Sequence, residues 1–188
     1  MLNFEILEGR VSTPKVEEKL EEKYTKRREE NIAMKVNSTN SKNFQLIKNE
    51  KLLGELSYKN ILFLKANIKL SNDDNYEIKP VGFWGTKICV TKNGAEIAVL
   101  KMNWNGNISI AFHDGEEFVV KAKGWFDNTF FMEDKAEKKI MQLEAKFSWR
   151  KFYYSYDISY EEKSQDALLI LLGVYAANYY LSNMSGGM

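Results

Sequence analysis

Hydrophobic and polar residues alternate along most of the chain, from about residue 31 to about residue 160. Between Leu62 and Leu70, apolar side chains occupy every second position, and the same period recurs in residues 108–113, 118–123, 141–147 and 152–158. A period of two places one face of each strand in a core and the other in water. Pairs such as Asn93-Gly94 separate these runs and favour tight hairpin turns. The pattern predicts a mainly β fold of about twelve antiparallel strands, arranged as a sandwich or barrel.

The segment from Ala167 to Leu181 has a different pattern, because it carries no charge and is apolar on nearly all sides. Ser164 or Asp166 is placed to cap a helix there. A helix without a polar face is surrounded by apolar matter, either lipid or protein. The run is shorter than the roughly 20 apolar residues that span a bilayer, so burial is favoured over a membrane anchor. Because about twelve strands enclose more volume than wall side chains fill, we expect a barrel around this helix.

Residues 1–30 are expected to form a separate N-terminal region, with the barrel and its helix in residues 31–188. Leu2–Leu7 is a possible short strand, and the charged stretch after Pro14 is expected to form an exposed helix. The first residues lack a basic segment followed by an apolar core, so we expect a cytoplasmic location, with peripheral membrane contact as an alternative.

Composition narrows the classes of function. The 188 residues include one His and one Cys, and the formal net charge is +1. One Cys excludes a disulfide framework within the chain and a Cys-based zinc site, and one His excludes a multi-histidine metal site. A net charge near zero argues against a dedicated nucleic-acid binder. We therefore expect no metal, no cofactor and no nucleic-acid partner.

The predicted element order resembles that of the tubby C-terminal-like superfamily, which includes tubby domains, phospholipid scramblases and plant LURP-one-related proteins. The local likeness is greatest at Asp166–Tyr175, which is similar to the terminal helix of the scramblase and LURP-one-related branches, and at the Gly-aromatic-aromatic motifs that begin at Gly82 and Gly124. The resemblance implies a twelve-stranded barrel around a hydrophobic helix. It further implies a lipid-headgroup-binding or protein-interaction module. The chain lacks a scramblase-like Cys-rich segment, and Asn72–Asn75 has too few ligands for a calcium loop.

Several basic residues on neighbouring predicted segments form a candidate patch for phosphate headgroups or another acidic partner. The alternative is an ordinary solvated barrel exterior, since lysine is a common outward residue. The candidate ligand-binding residues are Lys121, Lys123, Lys138, Lys139, Arg150 and Lys151, with Lys146 nearby.

Residues with catalytic potential do not form a recognisable motif. His113 lies beside a turn without a nucleophile in an elbow motif, and Cys89 has no His at a known spacing. Glu116 and Glu117 point to opposite faces if they lie in a strand. The four tryptophans lie near predicted strand ends, where they are expected to close the barrel. These residues favour a non-enzymatic protein; a small β-barrel carrier or enzyme with an internal ligand remains the alternative. The oligomeric state is left open.

Overall fold

The computed structural model describes residues 34–59, 64–82, 87–124, 128–148, 153–160 and 166–185. These residues form twelve strands and one helix. The strands are β1 (Met34–Ser38), β2 (Asn43–Lys48), β3 (Lys51–Tyr58), β4 (Ala66–Leu70), β5 (Asn75–Val81), β6 (Lys87–Lys92), β7 (Ala95–Met102), β8 (Ile108–Phe112), β9 (Glu117–Ala122), β10 (Thr129–Asp134), β11 (Lys139–Ser148) and β12 (Tyr153–Tyr160), and the helix is α1 (Ala167–Ser185). The predicted short strand and charged helix of residues 1–30 lie outside the described residues.

The strands form a closed antiparallel barrel in which each strand pairs with its neighbours in sequence. The ring closes where β1 pairs with β12, with Met34 opposite Ile158 and Val36 opposite Tyr156. This confirms the predicted barrel of twelve strands. Because adjacent side chains point to opposite faces, every second residue of each strand enters the lumen.

Helix α1 occupies the lumen of the barrel. Its residues from Leu168 to Asn178 are buried, as expected for a helix that has no polar face. The helix contacts strands on nearly opposite sides of the ring. A side chain added at Gly54 of β3 would meet Leu171 Cδ1 at 3.1 Å, and one added at Gly173 would meet Met132 Cε of β10 at 2.9 Å. The lumen therefore contains a packed helix, which is the predicted arrangement.

The start of α1 is capped by Asp166. Its Oδ1 accepts hydrogen bonds from the backbone N–H groups of Leu168 at 2.8 Å and Leu169 at 3.3 Å. This satisfies donors that the first helical turn leaves unpaired. Of the two caps considered from the sequence, the structure uses Asp166.

Within the described part of the chain, no helix combines the length and apolar character needed to cross a membrane.

Candidate functional site

The two ends of the barrel differ sharply in the sequence of their connecting segments. In a closed meander of antiparallel strands, successive connections alternate between one end and the other. The first, third, fifth, seventh, ninth and eleventh connections define what we call the tryptophan end, which comprises residues 39–42, 59–65, 82–86, 103–107, 123–128 and 149–152. The remaining connections and the entry to α1 define the acidic end, which comprises residues 49–50, 71–74, 93–94, 113–116, 135–138 and 161–166.

All four tryptophans of the chain belong to connections at the tryptophan end. They are Trp84, Trp104, Trp125 and Trp149, and the same connections contain Phe63, Phe83, Phe126 and Phe152. The connections at the acidic end contain no Phe, Tyr or Trp. Among the connecting segments, aromatic residues thus occur only in the sequences of those that join strands at one end of the barrel. Of the four tryptophans, Trp104 lies within the described residues.

Trp104 is 99% exposed. The turn that carries it is well ordered by hydrogen bonds: Asn103 N–H donates to Asn107 O at 2.7 Å, and Gly106 N–H donates to Asn103 O at 3.0 Å. Gly106 has a φ of 82°, which favours glycine, and a Cβ added there would lie 3.3 Å from Tyr180 Cε2 of α1. The expectation that this tryptophan closes the barrel is wrong, because the turn holds its indole ring in solvent.

Charges are sorted in the same way. The segments at the tryptophan end carry one acidic residue, Asp127, and the basic residues Lys42, Lys59, Lys65, Lys123, Arg150 and Lys151. The segments at the acidic end carry the basic residues Lys135, Lys138 and Lys163, and the acidic residues Glu50, Asp73, Asp74, Asp114, Glu116, Glu137, Glu161, Glu162 and Asp166. The net charge of +1 therefore conceals a basic end and an acidic end.

Two described residues of the predicted basic patch, Lys123 and Lys138, lie at opposite ends of the barrel. Lys123 follows β9 at the tryptophan end, whereas Lys138 lies in the turn between β10 and β11 at the acidic end. Arg150 and Lys151 lie outside the described residues, in the segment that joins β11 to β12. The basic patch predicted from the sequence therefore has members at both ends of the barrel.

Two further lysines of that prediction lie on the outer wall and are already engaged. Lys121 Nζ lies 2.5 Å from Glu133 Oε2. Lys139 Nζ donates to Gln142 Oε1 at 2.9 Å and lies 4.4 Å from the centroid of the Phe131 ring. The neighbouring Lys146 pairs with Asp157. These partners neutralise or occupy the cations, so this part of the wall is a mixed-charge surface.

Cys89, Glu96 and His113 form a hydrogen-bonded cluster on the outer wall of β6 and β7. Cys89 Sγ donates to Glu96 Oε2 at 2.7 Å, and His113 Nε2 lies 3.1 Å from Glu96 Oε1. Lys87 Nζ lies 3.6 Å from the same Oε1. The sequence alone indicates no partner for Cys89 or His113, because Glu96 comes within hydrogen-bond distance of them only after β6 and β7 pair.

The electrostatics of this cluster oppose nucleophilic catalysis. Burial and the hydrogen bond to Glu96 both raise the pKa of the Cys89 thiol. The hydrogen bond from Cys89 and the contacts with His113 and Lys87 lower the pKa of the Glu96 carboxyl. Because a thiolate is the reactive form, a thiol held protonated beside a carboxylate is a poor nucleophile. His113 contacts the carboxylate rather than the sulfur, so it is not placed to deprotonate the cysteine.

The described residues contain no cluster of three or more His, Cys, Asp or Glu side chains suited to a metal ion. Asn72–Asp74 lies in a turn, as predicted, with Asp73 at a φ of 66°, whereas Asn75 already begins β5. Asp74 in that turn pairs with Lys92 at 2.8 Å, and this pairing lowers the pKa of its carboxyl.

Comparisons of the chain with protein-family models, with curated proteins and with solved structures found no match in any of the three.

Proposed function

We propose that this protein is a non-enzymatic, tubby-like barrel that binds the anionic lipid headgroups of a membrane surface through its tryptophan end. The observation that carries the proposal is the full exposure of Trp104 at the end of the barrel where Lys42 and Lys123 also lie. In the sequence, the other three tryptophans also fall between strands that are joined at that end. In this position the indole ring of Trp104 is available to contact a partner.

The chemistry of the tryptophan end suits a bilayer interface. Tryptophan has an apolar body and a polar N–H, and it is enriched where hydrocarbon meets water. Each Lys or Arg near an anionic membrane contributes about 1 kcal/mol of attraction. Both kinds of residue belong to connections that join strands at the same end of the barrel, so one orientation of the barrel would use them together.

The alternative of a carrier with an internal ligand receives no support from the lumen. Buried side chains of α1 occupy the space that such a ligand would need, from Leu168 to Asn178. The resemblance to the tubby-like superfamily points to the same class of ligand as the tryptophan end does. A binding surface on the outside of the barrel is consistent with both.

Vesicle flotation tests the proposal. The full chain is mixed with vesicles of phosphatidylcholine alone or of phosphatidylcholine with phosphatidylserine, and we expect flotation with the anionic vesicles only. Trp104→Ala should reduce the floated fraction severalfold. Leu52→Ala is the matched control, since Leu52 is 42% exposed and is the second residue of β3, which begins at the acidic end.

A charge pair of variants separates electrostatic from apolar binding. Lys42→Gln at the tryptophan end should weaken binding about fivefold, the equivalent of about 1 kcal/mol. Lys51→Gln at the acidic end should leave it unchanged. Absence of flotation with either vesicle, or equal effects of the two members of each pair, would overturn the lipid proposal.

A further inference from the structure

The acidic end of the barrel contains an open concave surface of about 580 Å³. It lies between the β8–β9 turn, the β10–β11 turn and the start of α1. We call it the end pocket and define it by the lining residues Glu116, Phe118, Asp134, Ala136, Ile140 and Leu169. Its volume lies within the range of about 300–1,000 Å³ that is typical of small-molecule sites, so it is large enough for an aromatic side chain.

The floor of the end pocket is apolar, because three different elements each place a hydrophobic residue there. Ile140 of β11 and Leu169 of α1 are buried, and Phe118 of β9 is partly buried. Ile140 is the extra residue at the register shift between β10 and β11, so it has no partner across that pair. Such a bulge bends its strand locally. The floor therefore offers contact to an apolar group.

Carboxylates surround this floor, and most of them already have partners. Glu117 Oε1 lies 3.4 Å from Lys135 Nζ, and Asp134 Oδ1 accepts a hydrogen bond from the Ala136 backbone N–H at 2.9 Å. Glu116 is exposed, and no cation among the described residues lies within ion-pair distance of it. The end pocket thus combines an apolar floor with a carboxylate that can accept a hydrogen bond.

The opposite end of the barrel carries a side chain with the complementary chemistry. Trp104 is 99% exposed on its ordered turn. Its indole ring has an apolar body and an N–H donor. Trp104 precedes β8 and Glu116 follows it, and the five residues of β8 extend about 17 Å. Trp104 therefore cannot reach the end pocket of its own chain, whereas a second copy can bring the two together.

The charges of the two ends are complementary as well. The connections at the tryptophan end carry six basic residues and one acidic residue, whereas those at the acidic end carry nine acidic and three basic residues. Lys101 is exposed and lies three residues before Trp104, at the same end of β7. Complementary charges steer two surfaces into one relative orientation and suppress the others. The tryptophan end of one copy therefore fits the acidic end of another.

We propose that copies of this chain associate head to tail, with Trp104 of one copy in the end pocket of the next. The indole ring packs on Phe118, Ile140 and Leu169, and its N–H donates to the Glu116 carboxylate. Because the two contacting surfaces differ and lie at opposite ends of the barrel, the assembly does not close and grows as an open chain. The inference goes beyond the proposed function, since the partner is a protein and no lipid is required.

Sedimentation velocity on the full chain measures this association. We expect the average mass to rise with protein concentration at about 0.01 M salt, where charges act over about 30 Å. It should fall towards the monomer mass of 21.9 kDa in about 1 M salt, where the same charges are screened. A mass of 21.9 kDa at every concentration in the low-salt buffer would overturn the inference.

Variants at each side of the contact localise it. Trp104→Ala and Glu116→Lys should each weaken association about tenfold or more, with melting temperatures near that of the wild type, because both side chains are exposed. Glu50→Lys is the matched control for Glu116→Lys, since Glu50 is an exposed residue of the acidic end that lies in the β2–β3 turn, outside the end pocket. Equal weakening by the two lysine variants would show that the end pocket takes no part and would overturn the inference.

A mixture of the two contact variants tests the polarity of the assembly. Trp104→Ala retains the end pocket, and Glu116→Lys retains the indole ring, so one of each should form a pair that cannot grow. We expect twice the monomer mass and no larger species. A mixture that remains monomeric, or that grows beyond the pair, would contradict a head-to-tail contact.

Vesicle flotation keeps this inference separate from the proposed lipid binding. Glu116→Lys leaves the tryptophan end intact, so it should float with anionic vesicles as the wild type does. Association of the wild type in the absence of any flotation would overturn the lipid proposal and support the contact between copies. The two proposals can therefore fail separately.

Discussion

Asn178 is a polar side chain buried inside the barrel, and it joins α1 to two strands. Its Oδ1 accepts a hydrogen bond from Tyr156 Oη of β12 at 2.6 Å, and its Nδ2 donates to Tyr58 Oη of β3 at 3.1 Å. Tyr175, one turn earlier in the helix, stacks on Tyr58 with ring centroids 5.8 Å apart. Apolar contacts alone would permit the helix to slide or rotate. These directional bonds instead specify one position of α1 in the lumen.

Replacement of the Asn178 side chain should destabilise the fold. We expect Asn178→Ala to lower the free energy of unfolding by about 2–4 kcal/mol, because two buried tyrosine hydroxyls lose a partner. Chemical denaturation monitored by circular dichroism measures the change. Asn183→Ala is the control on the same helix, since Asn183 is exposed and its amide donates to Tyr179 O. Loss of the Asn183 side chain should lower the free energy of unfolding by less than about 0.5 kcal/mol. A similar loss in both variants would contradict a specific role for the buried amide.

Glu77 provides a pH-dependent test on the outer wall. Hydrogen bonds and charge from Lys79 and Lys59 lower the pKa of its carboxyl from 4.5 to about 2. The folded pKa is the lower one, so the associated stability is present above pH 4.5 and is lost as the pH falls towards 2. In an NMR titration, Lys79→Gln should raise the pKa of Glu77 towards 4.5. Lys69→Gln should leave it unchanged, because Lys69 pairs with Asp73; an unmoved pKa in Lys79→Gln would contradict the assignment.

At the scale of the element, α1 shows how far a sequence pattern reaches. The uncharged run predicts a buried helix, and Leu168–Ala177 is indeed buried. The helix extends beyond this apolar run, which ends at Leu181, and continues to Ser185. Ser182 and Asn183 are weak helix formers, but both side chains donate to the Tyr179 carbonyl, at 3.0 Å and 2.7 Å. Such local bonds depend on geometry that composition does not reveal.

Removal of the helix should unfold the barrel. Deletion of residues 164–188 withdraws six buried aliphatic side chains, each of which stabilises the fold by about 1.5–3 kcal/mol. Their sum is comparable to the about 5–15 kcal/mol of stability that a whole domain has. We expect the truncated chain to lose its cooperative thermal transition and to aggregate. A truncated chain that remains monomeric and melts cooperatively would contradict a structural role for α1.

The sequence predicts which strand residues face the core, but it does not predict the irregularities in strand pairing. Alternation places Ile68, Ile110 and Ile158 in the core, and each is buried as expected. The register shifts near Leu46, Val90 and Met132 were not predicted, because an extra residue in one strand depends on the pairing of two. Period-two alternation also does not distinguish a closed barrel from a sandwich. The apolar helix, which needs an enclosing wall, provided that distinction.

At the scale of the whole molecule, the candidate site was the hardest feature to predict. Lys123 and Lys138 are close in sequence, but β10 separates their connections and carries them to opposite ends. The sequence does contain the signal that was needed. The connecting segments can be divided into two groups by taking every second one along the chain. One group then contains the aromatic residues and most of the basic residues, and the other contains most of the acidic residues. That grouping depends on knowing every strand, since one missed strand would exchange the two ends.

The charge distribution also matches the direction of α1. The helix begins at the acidic end and finishes at the tryptophan end, where a Cβ added at Gly106 would lie 3.3 Å from Tyr180 Cε2. A helix carries partial positive charge at its N-terminus and partial negative charge at its C-terminus. The first turn of α1 contains no acidic residue and the last turn no basic one. The barrel connections therefore supply the complementary charges that the helix lacks.

The order of the elements has a consequence for how the chain is made. The ring closes only when β1 meets β12, and the helix that fills the ring follows β12 in sequence. A ribosome adds roughly 5–20 residues per second, so many seconds separate the emergence of β1 from that of α1. During this interval hairpins can form, but inward side chains such as Leu46 and Ile68 have no helix to cover them. Until α1 emerges, the apolar inner face of the open sheet therefore stays exposed to solvent.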